Sequence, residues 1–210
     1  MSVPPGRRTQ AERRTATRSA LVRATVDALV ELGYARTTTQ EVQSRAGVSR
    51  GALTHHFTAK ADLVLAAMDH LYEEFSESVR KAAAALPDDP AARIRLGVEL
   101  IWERFHGPLF VASMELWTAA RTDPELRAAL LPHERRLGAQ LRELSVEVFG
   151  ERVSRHPASE AVYQVLLTSM RGQAMTYALQ PDAPRDGPHV QHWIAMVEAF
   201  ARPTSRADRP

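Results

Sequence analysis

The sequence predicts an all-α chain in which a small N-terminal three-helix domain precedes a larger helical one. Three observations carry this. Apolar residues recur at helical spacing in one window after another, while no strand-like alternation of useful length occurs. Capping residues, prolines and glycines fall between those windows, where helices start and stop. The chain has 210 residues, 44% of them hydrophobic, so it can bury a sizeable core, enough for one large or two small domains.

A first helix is expected over residues 10–32, because Leu21, Ala24, Ala28, Leu29 and Leu32 fall on one face and Gly33 follows. Thr38 is a good N-cap and Glu41, three residues on, completes a Thr-x-x-Glu capping box, so a second helix should start at Thr39 and stop at Gly47. Ser49 can cap a third helix after a link as short as Gly47-Val48. Residues 60–86 read as a longer helix with Leu65, Met68, Leu71, Tyr72, Phe75 and Val79 as its apolar stripe, closed by Pro87. Asp89-Pro90, a cap followed by proline at the first helical position, opens a helix to about residue 106, and Gly107-Pro108 interrupts it. A helix over about 108–121 follows, then one from the Thr122-Asp123-Pro124-Glu125 start to Phe149, with a bend expected at Pro132 and a stop at Gly150. Residues 157–179 and 188–201 are the last two helices, the former lined by Val162, Val165, Leu166, Met170 and Tyr177, the latter by Val190, Trp193, Ile194, Val197 and Phe200. A Pro- and Asp-rich loop, 180–187, joins them, and a polar tail is expected to be disordered. The expected domains are 1–60 and 61–202, with the tail at 203–210.

The second and third helices are close enough in sequence to form a helix-turn-helix. Val42, Ala46, Val48, Leu53 and Phe57 can pack together, which sets two short helices at a steep angle. Arg50, Gly51, Thr54 and His55 lie away from the Leu53 and Phe57 stripe, so the exposed face carries donors and small groups suited to a DNA major groove. Charge is distributed to match. Residues 1–60 hold ten cations against four anions, the rest seventeen against twenty-one, so only the front end is suited to a polyanion.

In order and without gaps, Gly33-Tyr34, Thr38, Val42, Ala46-Gly47-Val48-Ser49, Gly51, Leu53, His56-Phe57, Lys60 and Leu63 fit a longer pattern, and through it the chain resembles the TetR family of bacterial transcriptional regulators. The resemblance is at the level of the motif and covers about the first quarter of the chain. It implies that residues 49–57 enter the major groove. Arg50 is then the candidate for a base contact, since a guanidinium can bind guanine O6 and N7 together, and Gln40 matches a position that also reads bases. Thr38, Thr39, His55, His56 and Lys60 match positions that grip phosphate. Ser49, Gly51 and Thr54 complete the expected DNA-facing set. The basic arm 7–14 could track the backbone or enter the adjacent minor groove. Two departures stand out. Thr54 occupies a place where most relatives carry tyrosine, and Gln43 one where they carry alanine, so the operator sequence cannot be borrowed from relatives and packing at the rim of the domain should differ.

For the second half, the resemblance implies dimerisation and ligand sensing. A homodimer formed through the last two helices would read a palindromic double-stranded operator. A small effector, apolar or aromatic, would bind among Trp102, Phe105, Phe110, Met114 and Trp117. Met170 and Tyr177 are further lining candidates, with His106, Glu115 and Gln173 as the polar groups, although helix-spaced aromatics are more often plain core. Binding there would tilt the 60–86 helix, change the half-site spacing and release a repressor from its operator.

Other classes fit less well. There is no Gly-x-Ser-x-Gly elbow, phosphate-cradling glycine loop or His-Glu-x-x-His to suggest an enzyme, and Ser154 and His156 have no third partner by spacing. The adjacent His55 and His56 point about 100° apart on a helix, which suits DNA better than a shared metal. His189 and His192 read as a solvated pair near a helix start. No cofactor is expected. The absence of cysteine suits a reducing cytoplasm, no targeting segment opens the chain, and the longest uncharged apolar run, 162–170, falls short of the roughly 18 to 20 residues a bilayer requires. The alternatives left open are a nonspecific or co-ligand-dependent DNA binder, for which Thr54 leaves room, and an activator.

Overall fold

The computed structural model describes residues 9–180 and 184–201. The expected tail, the arm residues Arg7 and Arg8, and positions 181–183 of the last loop lie outside the described residues. Among those described, there are nine helices and no strand: α1 (Gln10–Arg36), α2 (Thr39–Ala46), α3 (Arg50–His56), α4 (Lys60–Ala83), α5 (Pro90–Arg104), α6 (Pro108–Ala120), α7 (Pro124–Ser154), α8 (Ser159–Tyr177) and α9 (Pro188–Ala201). They fall into two compact units, one within Met1–Tyr72 and Val111–His133, the other within Glu73–Phe110 and Glu134–Pro210.

The first unit is built around the helix-turn-helix. Leu21, Val22, Ala24 and Ala28 of α1 pack with Val42, Leu53, Phe57 and Leu63, and Ala46 and Val48 close the edge of this core. Gly47 ends α2 in the left-handed region, at φ 64°, and Ser49 Oγ accepts from the Ala52 amide to start α3. The capping box falls elsewhere than expected. At Thr38 only half is made: its hydroxyl oxygen accepts from the Glu41 amide at 3.1 Å, but the Glu41 carboxylate accepts instead from Arg45 Nε at 2.6 Å. Arg45 also reaches Glu31 at 2.7 Å, so the carboxylate is drawn into a link between α1 and α2. The complete box is at Thr9, whose hydroxyl accepts from the Glu12 amide while Glu12 accepts from the Thr9 amide at 2.7 Å.

Gly33 interrupts α1, as its place in the sequence suggests, but the helix then resumes as far as Arg36. The glycine adopts φ 76° and ψ 170°, which side chains resist, and a carboxylate makes the break tenable. Glu115, from the α6 residues of this unit, accepts from the Tyr34 amide at 2.9 Å. Thr37 closes the resumed turn by donating its amide and hydroxyl to Gly33 O.

In the second unit, α5 packs against α9 through Ile94, Val98 and Trp102 on one side and Val190, Trp193, Ile194 and Val197 on the other, all buried. Gly97 is where α5 meets α7: a Cβ there would stand 2.9 Å from Val148 Cγ1. Helix α7 runs past its expected stop. Gly150 breaks it at φ 76° and ψ 168° and the chain re-enters a helix to Ser154, whereas the exposed Pro132 leaves no non-helical residue where a bend was expected.

Candidate nucleic-acid interface

Helices α2 and α3 and the first residue of α4 enclose a groove of about 660 Å³. Thr39, Gln40, Gln43, Arg50, Thr54 and Lys60 line it, Leu53 and Phe57 contribute apolar surface, and no carboxylate borders it. The local sequence explains the arrangement. Thr38 and Ser49 cap the two short helices, so Thr39, Gln40 and Arg50 fall in first turns with their side chains exposed. Arg50 has no ion pair among the described residues. Gly51 lies beside it, exposed, and a Cβ there would meet nothing within 4 Å, so this end of α3 allows close approach.

The groove residues differ in how much bonding capacity remains. The Thr54 hydroxyl lies 3.2 Å from both Arg50 O and Gly51 O, so its proton is engaged within α3. Lys60 Nζ donates to Tyr34 O at 2.7 Å and lies 3.6 Å from the centre of the Tyr34 ring. Burial holds the Lys60 ammonium below the usual lysine range, with Asp123 acting the other way, and burial followed by Asp123 raises the Tyr34 phenol. Two of the three ammonium hydrogens remain for another acceptor. Thr38 and Ser49 use their side-chain oxygens as caps, and Thr38, Ser49, Gly51, His55 and His56 lie outside the groove lining.

His55 is exposed, and its ring meets His56 edge-on at 5.5 Å. His56 borders a separate cavity of about 240 Å³ with Arg14, Thr15, Arg18 and Ser19 of α1. Burial lowers its proton affinity, as do His55, Arg14 and Arg18 in turn. Thr15, Arg18 and Ser19 carry no motif that marks them in the sequence. The available signal was the spacing of Arg14 and Arg18, four apart on one helical face.

The expected effector residues divide between the units. Met114 and Trp117 belong to the first, and Trp102, Phe105, His106, Phe110, Met170, Gln173 and Tyr177 to the second. Trp102, 3% exposed, is the centre of the second group. The rings of His106, Trp193, His189 and Tyr177 surround it at 4.7, 4.9, 5.2 and 5.9 Å, and Phe105 packs on Phe110 at 5.2 Å. Met170 is fully buried, and Gln173 is half-buried on α8. Glu115 is engaged at Gly33-Tyr34. His189 needs correction: it is not solvated with His192 but half-buried against Trp102, with Nδ1 3.4 Å from the Tyr177 hydroxyl, because α9 turns that face toward α5. The Nε2 atoms of His106 and His189 are buried without a hydrogen-bond partner, and burial lowers the proton affinity of both rings. A further cavity of about 520 Å³, lined in part by Arg93, Ile94, Phe149, Val153 and Glu198, had no motif to announce it.

Residues 21–67 match the model for bacterial regulatory proteins of the tetR family. The chain is 35% identical over 182 residues to the HTH-type transcriptional regulator CymR of Pseudomonas putida, spanning 86% of this chain and 89% of that one. It is 33% identical over 127 residues to the regulator BetI of Pseudomonas aeruginosa, spanning 59% of this chain and 64% of the relative. A TetR transcription regulator from Haloarcula marismortui shares the fold, with a TM-score of 0.67 at 23% identity over 89% of this chain and 97% of its own. With identity of this extent along nearly the whole of both this chain and CymR, and the helix-turn-helix inside the matched region, the chain belongs to the TetR family of bacterial DNA-binding transcriptional regulators.

Proposed function

We propose that the protein is a homodimeric repressor that holds a palindromic operator and releases it when a small apolar or aromatic molecule binds the second unit. The observation that carries the DNA contacts is the groove of α2 and α3, where Thr39, Gln40, Arg50, Thr54 and Lys60 converge without a carboxylate. Arg50 reads a base pair, with Gln40 as a second reader. Thr38, Thr39, His55 and His56 hold phosphates, Lys60 does so from its seat on Tyr34, and Ser49 and Gly51 let α3 approach closely.

The dimer reading is supported by apolar surface along α8 and beyond its end: Val165 and Met175 are about half exposed and Leu179 is 85% exposed. Small exposed residues of α9, Ala195 and Ala199, offer a flat neighbour. The effector reading is supported by the Trp102 cluster, where the His106 and His189 Nε2 atoms lack a partner.

Selection of random duplexes by the purified protein at physiological salt, repeated with Arg50→Ala, tests the proposal. It requires an enriched palindrome and a loss of about 1 to 3 kcal/mol, confined to one base pair of each half-site, in the variant. Enrichment of a site without two-fold symmetry, or an unchanged preference in the variant, would refute it.

A further inference from the structure

The cavity beside His56 holds more positive charge than the fold requires. Arg14 and Arg18 stand four residues apart on one face of α1, where like charges destabilise a helix by a few tenths of a kcal/mol. No carboxylate borders the cavity to offset them. Thr15 and Ser19 repeat the same spacing and add two hydroxyl donors to the lining. The Arg18 guanidinium lies 5.5 Å from the centre of the Phe57 ring, which fixes its position next to the end of α3. His56 supplies the third nitrogen-bearing group; burial is the main cause of its lowered proton affinity, followed by His55 and then by Arg14 and Arg18.

Two guanidinium groups, two hydroxyls and an imidazole around about 240 Å³ make a receptor for a tetrahedral oxyanion. We propose that Arg14, Arg18 and His56 clasp a backbone phosphate of duplex DNA at a site separate from the groove of α2 and α3, with Thr15 and Ser19 donating to its oxygens. This deepens the reading of the first unit as a DNA-binding domain and rests on it. The source of the phosphate is the duplex because His56 directly follows the exposed His55 on α3, the helix that carries Arg50. A phosphate held there anchors the end of α3 and is indifferent to base sequence.

The test uses the full chain, binding measured by fluorescence anisotropy to a random-sequence duplex pool and to a selected duplex, between 50 and 200 mM salt. Removing one bound phosphate flattens the plot of log affinity against log salt by about 0.9. Arg14→Gln with Arg18→Gln should therefore weaken both duplexes by the same factor and reduce the slope by about that amount per protomer, with base preference unchanged. Arg14→Gln alone, which leaves Arg18 on Phe57, should show the same trend if the double variant is poorly folded. Arg23→Gln removes an exposed α1 charge outside the cavity and serves as the control; an equal effect would reduce the site to net charge and overturn the proposal. Wild-type binding left unaltered by the cavity variants would also overturn it while leaving DNA binding intact, whereas no wild-type binding to any duplex would refute the underlying reading instead. Inorganic phosphate, followed through the His56 ring resonances, separates the remaining source: saturation at millimolar phosphate with normal duplex binding by the variants would assign the cavity to a free anion and reject the DNA contact.

Discussion

Replacing Gly33 by alanine should destabilise the first unit, and Glu115 should account for much of the loss. A side chain at φ 76° and ψ 170° strains the backbone by about 1–3 kcal/mol. The new Cβ would stand 2.5 Å from Glu115 Oε2 and 3.0 Å from its Cδ, so the carboxylate must move away. In moving it gives up the bond from the Tyr34 amide, and hydrogen bonds to charged groups contribute about 1.5–3 kcal/mol. The single substitution should therefore cost about 2.5–6 kcal/mol on those two principles together. In a Glu115→Ala background the space is vacant and the bond already absent, which leaves only the backbone strain. A double-mutant cycle should accordingly return a coupling of about 1.5–3 kcal/mol, the two single losses summing to more than the double. Urea unfolding at fixed protein concentration, compared at equal m, gives the four stabilities, and exchange of the Tyr34 amide reports the bond directly. Losses that add to within about 0.5 kcal/mol, or a neutral Gly33→Ala, would show that Glu115 does not hold this break.

Gly97→Leu should lower stability by about 1–3 kcal/mol in thermal or urea unfolding, since even a Cβ crowds Val148 and Phe149; a neutral result would mean that α5 and α7 are not in close contact there. Stability should fall on acidification: burial holds His56, His106 and His189 below the ordinary 6.5, so the unfolded chain takes up protons first, and the stabilisation present above about pH 6.5 is lost as the pH drops through the folded values. Urea midpoints at pH 7.5 and 5.5 should differ less when His106 and His189 are both changed to Gln, and an undiminished difference would place the proton uptake elsewhere. Leu179→Arg should leave helical content unchanged while shifting sedimentation at micromolar concentration toward the monomer; an unaltered species would remove this residue from the dimer interface.

The helix-turn-helix was readable because each of its parts is local. Thr38, Gly47 and Ser49 fix their helix ends through bonds to residues three or four away, and Val42, Leu53 and Phe57 have one way to be buried together. The missed features depend on residues distant in the chain. Arg45 stands four residues from Glu41, a local pairing, but the spacing does not show that Glu31 of the preceding helix also holds it. Gly33 and Gly150 look like stops in sequence, and the spacing does not show that a helical turn follows each. Glu115 looked like a polar group for an effector pocket, since its partner lies 81 positions away. His189 looked solvated because the Trp102 and Tyr177 rings that cover it come from two other helices.

The same distinction changes how the charge of the first sixty residues should be read. Ten cations against four anions suggest a broad attraction to DNA, yet the structure gives several of those cations other work. Arg45 joins α1 to α2 through two carboxylates, Arg36 donates to Leu32 O, and Lys60 is seated on Tyr34. Arg14, Arg18 and Arg50 have no carboxylate partner among the described residues, and they border the two cavities whose linings lack acids. Counterion release follows the phosphates actually contacted, not net charge. The salt dependence of binding to random duplexes should therefore track Arg14, Arg18 and Lys60, with a smaller share from the base-reading Arg50, and should change little when Arg45 is replaced in a variant that still folds. A slope that fell as steeply on replacing Arg45 as on replacing Arg14 would mean that the domain attracts DNA through its overall field, and that the two cavities are not where the phosphates bind.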